Sequence, residues 1–189
     1  MNNYIEWFKK NKITEVECLI PDNSGIPRGK ILPTKKFLSS FESGGLRLPL
    51  HLFKLAVSRS VSYSIDDQLL NPTDGDFILK PDFNTLRVVP WYEEPTAQII
   101  CDAVDSKENE IEVYSRGILK RVISLFNNIG LEPIIAPEIE FYLVKKNNDP
   151  DYPLETPSGQ SGRIEKGNQS YGIDAINEFD HIFEDLYDY

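Results

Sequence analysis

The first residues whose type and spacing could do chemistry are Glu138 and Glu140, two apart in PIIAPEIEFYLV, residues 133–144 of a 189-residue chain. In a strand, successive side chains point to opposite faces. Ile135, Pro137, Ile139, Phe141 and Leu143 would then share one wholly apolar face, with Ala136, Glu138, Glu140 and Tyr142 on the other. Glutamate is depleted in strands, and two of them side by side repel unless something positive neutralises them. Their Cα atoms would lie about 6.5–7 Å apart, twice the strand rise. That gap suits two carboxylates reaching into one pocket to bind one or two hard cations. A half-buried strand with a wet outer face accounts for the same pattern without a metal.

The surrounding elements must aim this stretch. Ser115 is placed to cap a helix carrying Ile118, Val122, Leu125, Phe126 and Ile129 on one stripe, with Gly130 where a left-handed cap belongs. Helix, short turn and strand make a tight α-to-β unit. Residues 145–170 follow with few large apolar side chains, the pattern of a functional loop or a disordered segment. Gly159, Gly162 and Gly167 fit neither phosphate-loop spacing. Residues 171–174 could form a short extended piece. From Ala175 onward, Ile176, Phe179, Ile182, Phe183, Leu186 and Tyr187 keep helical periodicity. Asp174, Glu178, Asp180, Glu184, Asp185 and Asp188 mark that helix's wet face, and its apolar stripe would be left bare without further chain to cover it.

Upstream, Tyr4, Trp7 and Phe8 predict a short N-terminal helix. Residues 13–20 alternate, with Thr14, Val16, Cys18 and Ile20 opposite Glu15, Glu17 and Leu19, and a turn at 21–25 returns the chain as a second strand over 26–32. Arg28 and Lys30 are best explained as solvated edge charges. Thr34 opens a helix through Phe37, Leu38 and Phe41 that Gly44 and Gly45 stop. Strands are expected near 48–57, 60–65, 76–80, 85–89 and 96–104. Two hairpins around one helix suggest a small α+β sheet of β-grasp type, and the polar run 106–112 fits a domain boundary.

Composition narrows the function. The net charge of −10 argues against a nucleic-acid binder. Residues 147–189 hold ten acids and two bases, −8, which leaves −2 for the first 146. No run approaches the roughly 20 apolar residues that span a bilayer, and the N-terminus lacks a signal pattern, so the cytoplasm is expected and a membrane is not. Cys18 and Cys101 lack metal spacing and sit in alternating apolar stretches, which favours buried free thiols. His51 and His181 belong to no zinc or triad pattern.

Pro137-Glu138-Ile139-Glu140-Phe141 resembles the P-E-x-E-F strand of the glutamine synthetase superfamily. Gly75-Asp76-Phe77-Ile78-Leu79-Lys80-Pro81-Asp82, Thr85-Leu86-Arg87 and Pro90-Trp91 are similar to the closing half of that family's β-grasp domain, and Asn23-Ser24-Gly25-Ile26-Pro27-Arg28-Gly29-Lys30 to its first hairpin. Leu119-Lys120-Arg121-Val122 resembles the entry to the catalytic domain. Ser170-Tyr171-Gly172-Ile173-Asp174 with Asn177-Glu178-Phe179-Asp180 looks like the matching helix of glutamate–polyamine or γ-glutamyl-amine ligases. The resemblance implies an α+β fold: a helix over 1–12, a β-grasp domain over 13–105, and over 106–189 the first helix-strand-helix part of a glutamine-synthetase-type catalytic domain, truncated. It implies an ATP-dependent ligase joining glutamate to ammonia or a larger amine through γ-glutamyl phosphate. Two or more Mg²⁺ or Mn²⁺ ions, ATP as co-substrate and a homo-oligomeric ring belong to the same implication. Glu138 would hold the metal on the nucleotide side and Glu140 the metal on the glutamate side.

The stretch comparable to the Asp-Gly-Ser-Ser segment of ammonia-using members is Leu52-Phe53-Lys54-Leu55-Ala56-Val57-Ser58. It offers no acid to pair with ammonium, which favours a larger amine. The remaining ligands of a complete site would lie beyond residue 189, so this chain alone is expected to be inactive. A non-catalytic β-grasp module, or an inactive homologue kept for assembly, is the alternative.

Overall fold

The computed structural model describes residues 2–40, 43–54, 75–164, 166–167 and 169–188. They form two compact units, Met1–Pro133 and Ile134–Tyr189. The expected strand over 60–65 lies outside the described residues, as does the end of the one expected over 48–57.

The first unit begins with α1 (Asn2–Lys10), β1 (Glu15–Pro21), β2 (Pro27–Pro33), α2 (Thr34–Ser40) and β3 (Leu46–Pro49). It continues with β4 (Asp76–Pro81), β5 (Arg87–Val88), β6 (Thr96–Val104) and α3 (Ser115–Asn128). Three-residue and five-residue 3₁₀ turns occupy Phe83–Thr85 and Leu50–Lys54. The strands form one sheet in the order β2-β1-β6-β4-β3, with β5 alongside β6. β1 runs parallel to β6, and the other pairs are antiparallel.

Glu17, on the expected polar face of β1, is itself buried and Thr14 is exposed; on the other face Val16, Cys18 and Ile20 are fully buried. With Leu32, Phe77, Leu79, Ile99, Cys101 and Ala103 they make the inner sheet face, which Phe8 of α1 and Phe37 of α2 cover. Cys18 and Cys101 are free thiols in this core. Burial and the neighbouring thiol hold Cys101 protonated, its hydrogen bond to Cys18 being the larger cause.

The 21–25 turn is built around Asp22. Its buried carboxylate accepts from the N–H groups of Ser24 and Ile26 and from Arg28 Nε, all at 2.9 Å. Arg28 is therefore a turn clamp rather than a solvated edge charge. Gly25 supplies the positive φ of 78°. Asn23 Nδ2 donates to the carbonyls of Phe53 and Val113, both at 3.0 Å, tying the turn to the segment that leads into α3.

On the opposite sheet face, α3 is fixed by ion pairs. Asp102 of β6, only 8% exposed, accepts from Arg116 Nε at 2.9 Å and Lys120 Nζ at 2.7 Å. Arg116 also pairs with Asp82, and Lys120 reaches Glu110 at 3.0 Å. Burial by itself would raise the Asp102 carboxyl; the Lys120 and Arg116 hydrogen bonds outweigh it and hold the group below its ordinary value. Burial and the Asp102 carboxylate push Tyr114 up to about 12. Tyr114, not Ser115, is the N-cap, and it makes no side-chain cap bond. The expected apolar stripe of α3 forms but stays open: Leu125 is 65% exposed and Ile129 71%.

Asp102→Ala should cost about 3 kcal/mol, the low end for breaking a buried pair, because Arg116 and Lys120 can turn to water; urea unfolding at neutral pH measures it. The depressed carboxyls of Asp102 and Asp22 bind a proton more weakly folded than unfolded. Their stabilisation is complete above about pH 4 and lost as pH falls through the lower folded values. In Asp102→Ala, the acid limb of the stability–pH curve should be shallower.

Candidate functional site

The second unit contains no β-ladder around Glu138 and Glu140. Residues 131–147 belong to neither helix nor strand. Ile139 and Phe141, expected to be buried opposite the glutamates, are 84% and 54% exposed. The correction has a simple cause: strand structure needs a neighbour for its N–H and C=O groups, and among the described residues none lies beside this stretch.

Glu138 and Glu140 are both exposed, and neither makes a hydrogen bond or ion pair with a described residue. Glu140 lines a cavity of about 610 Å³ inside the second unit. Residues 139–143 form one wall; Ile176, Phe179 and Phe183 form another, with Lys166 and Gln169 at the polar side. Phe179 is thus buried, and Ile182 and Phe183 are partly covered, so the bare stripe expected on the last helix is reduced to Ile176, Leu186 and Tyr187. The helix is also split, into α4 (Ile173–Asn177) and α5 (Asp180–Asp188), and residues 171–174 are not extended.

Glu178, between the two helices, has a role that the charge pattern hides. It accepts from Ser161 N–H at 2.9 Å, Ser161 Oγ at 2.8 Å and Arg163 at 3.2 Å. The Ser161 bonds, more than Arg163, hold its carboxyl below the ordinary glutamate range. These bonds close a small hairpin in which Ser158 bridges Ile164 and Gly162 takes a φ of 78°. The glycines at 159 and 162 thus serve a turn, in keeping with their lack of phosphate-loop spacing.

Two carboxylates with uncommitted oxygens suit a hard divalent cation. Among the described residues no group of three His, Cys, Asp or Glu side chains is gathered to hold one. The pair fits as part of a ligand set, not as a whole one. Among the described residues no helix is long and apolar enough to cross a membrane.

Known proteins agree on the surroundings of the pair. The family described as glutamine synthetase, catalytic domain, matches residues 112–189, which include both glutamates. Glutamine synthetase of Methanocaldococcus jannaschii is 32% identical over 79% of this chain and 32% of its own length. Gamma-glutamylputrescine synthetase PuuA of Escherichia coli is 26% identical over 98% of the chain and 39% of its own. Glutamate–isopropylamine ligase of a Pseudomonas species is 27% identical over 74% of the chain and 30% of its own. A crystal structure of a novel glutamine synthase homolog aligns with a TM-score of 0.50 at 17% identity, covering 62% of this chain and 27% of that one, a likeness of fold.

The paired glutamates lie within the part of the chain that matches the glutamine synthetase catalytic domain. Residues 112–189 match the glutamine synthetase catalytic-domain family, and the chain as a whole is similar to members of that superfamily. It spans about a third of the length of the curated relatives it matches, 31% and 30% in two of them.

Glu178→Ala should leave Met1–Pro133 untouched and free the hairpin. Exchange of the Ser161 amide should rise to that of an unprotected loop, and trypsin should cut at Arg163 sooner.

Proposed function

We propose that the chain is the N-terminal portion of an ATP-dependent carboxylate–amine ligase that joins glutamate to an amine through γ-glutamyl phosphate. The observation that carries this reading is the family match over 112–189, which contains Pro137-Glu138-Ile139-Glu140-Phe141. Residues 13–105 are the β-grasp domain. A mixed sheet with parallel β1 and β6 at its centre, and α2 between its hairpins, supports that reading. Residues 106–189 open the catalytic domain.

Glu138 and Glu140 are the metal ligands that this portion supplies, Glu138 toward nucleotide and Glu140 toward glutamate. Bound Mg²⁺ or Mn²⁺ would screen phosphate oxygens and orient them for in-line transfer. The carboxylates' own part is to present oxygens that no described neighbour occupies. The amine is larger than ammonia: residues 52–58 hold no acid for ammonium, and two relatives carry isopropylamine or γ-glutamylputrescine in their names. The complete enzyme is a cytoplasmic homo-oligomeric ring, with head-to-tail contacts that close by rotation.

The test is ADP release by the complete enzyme with Mg²⁺, glutamate and, in turn, ammonia, isopropylamine and putrescine. The alkylamines should support turnover better than ammonia at neutral pH. Glu138→Ala and Glu140→Ala should each lower kcat/KM by more than about 100-fold, since even outer-shell losses at metal sites reach that size. Glutamate-dependent turnover that survives both substitutions would refute the metal assignment. No amine-dependent ADP release at all would favour the non-catalytic alternative.

A further inference from the structure

The β1–β2 turn makes a contact that the turn itself does not need. Asp22, Gly25 and Arg28 already close it. Asn23, on the exposed side, turns its amide elsewhere and donates to Phe53 O and Val113 O, each at 3.0 Å. Asp, Ser or Gly at this position would serve the turn equally well. What Asn adds is two N–H donors on one short arm; Asp has the same shape and none.

Phe53 and Val113 are 30 and 90 residues away in the chain. Val113 leads into α3 and lies within the matched residues 112–189. Phe53 lies in the 52–58 stretch, which is comparable to the ammonium-pairing segment of ammonia-using ligases. Leu52 and Phe53 are buried, and the Phe53 ring centroid is 4.9 Å from that of Phe77 and 5.9 Å from that of Tyr114. Leu50 N–H donates to Gly75 O at 3.1 Å, and Pro49 stands opposite Asp76, so the 50–75 connection is closed at its base. Ring packing fixes the Phe53 side chain. The Asn23 bond fixes the Phe53 carbonyl, and because the peptide is planar it fixes the direction of the next N–H as well.

We propose, resting on the reading of 52–58 given under the proposed function, that Asn23 is a positioning residue for amine selection. Through the Phe53 carbonyl it sets the point from which the amine-selecting stretch starts, and through the Val113 carbonyl it ties that point to the entry of the catalytic-domain residues. Asn23 touches no substrate in this role. Its contacts lie within Met1–Pro133 and involve no unpaired edge.

ADP release by the complete enzyme, with isopropylamine, putrescine and ammonia varied in turn, tests this in Asn23→Asp, Asn23→Ala and Arg28→Ala. Asn23→Asp keeps a turn-forming residue and removes both donors. It should raise KM for the alkylamines about tenfold, the size of one to two neutral hydrogen bonds. Values of kcat, and KM for glutamate and ATP, should stay within about twofold, the pattern of lost binding that is uniform between ground and transition states. The preference for alkylamine over ammonia should fall accordingly, and Asn23→Ala should behave alike. Arg28→Ala loosens the same turn through Asp22; it should lower the thermal midpoint and leave the alkylamine-to-ammonia ratio unmoved. An unchanged ratio in folded Asn23→Asp would overturn the proposal, and so would an equal change of ratio in Arg28→Ala. An unaltered enzyme that releases no ADP with any amine would instead refute the ligase reading, and the role of Asn23 with it.

Discussion

A single buried carboxylate organises the way the first unit is put together. Asp102 lies in β6, the strand that borders both β1 and β4, and the hydroxyl of the core residue Tyr114 donates to it at 3.4 Å. Left unpaired, a carboxylate this deep would cost several kcal/mol or take up a proton. Arg116 and Lys120 remove that penalty from one helix, at the four-residue spacing that puts both on one face. The requirement is mutual: α3 presents its basic side to the sheet because the acid is there, and its apolar stripe is turned elsewhere as a result. Asp82 and Glu110 extend the network to the turns on either side of β6.

This explains why two ways of dividing the chain disagree. By ancestry, the glutamine synthetase catalytic-domain match begins at residue 112 and takes in all of α3. By contact, α3 belongs with the sheet, and the compact units part after Pro133. The Arg116 and Lys120 pairs with Asp102 join α3 to the sheet, so the start of the matched segment lies within the first unit. A domain boundary in sequence marks where a module starts; a boundary in space marks where contacts thin out. Here a helix of 14 residues lies between the two.

What could be read from the residues follows from how local each signal is. β1 was legible because alternation of Val16, Cys18 and Ile20 is written in seven consecutive residues, and its burial is the same whichever strand lies beside it. The Gly130 stop and the buried thiols were legible for the same reason. Asp102 was not, because a lone acid in an apolar strand reads as an outward position until its cations, 14 and 18 residues further on, are known. Glu178 was assigned to a wet helix face by periodicity, yet it closes a hairpin formed 15 to 17 residues earlier. Arg28 resembled an edge charge until the burial of Asp22 was seen. In each case the missed function is a pair, and only one member carries a local signal.

The stretch around Glu138 is the sharpest case, because there the local signal and the structure diverge. Alternation and residue type favour a strand, but β structure is completed between chains or segments, never within one. A helix with good periodicity can form on its own hydrogen bonds, which is why α3 is present even with an open apolar face. A strand cannot. Residues 131–147 therefore keep strand composition without strand structure, and the cost is apolar surface in water and backbone groups left to solvent. The same condition leaves the oxygens of Glu138 and Glu140 uncommitted. Backbone pairing and the setting of those carboxylates are therefore coupled, because a ladder partner would fix the face on which Glu138 and Glu140 both stand.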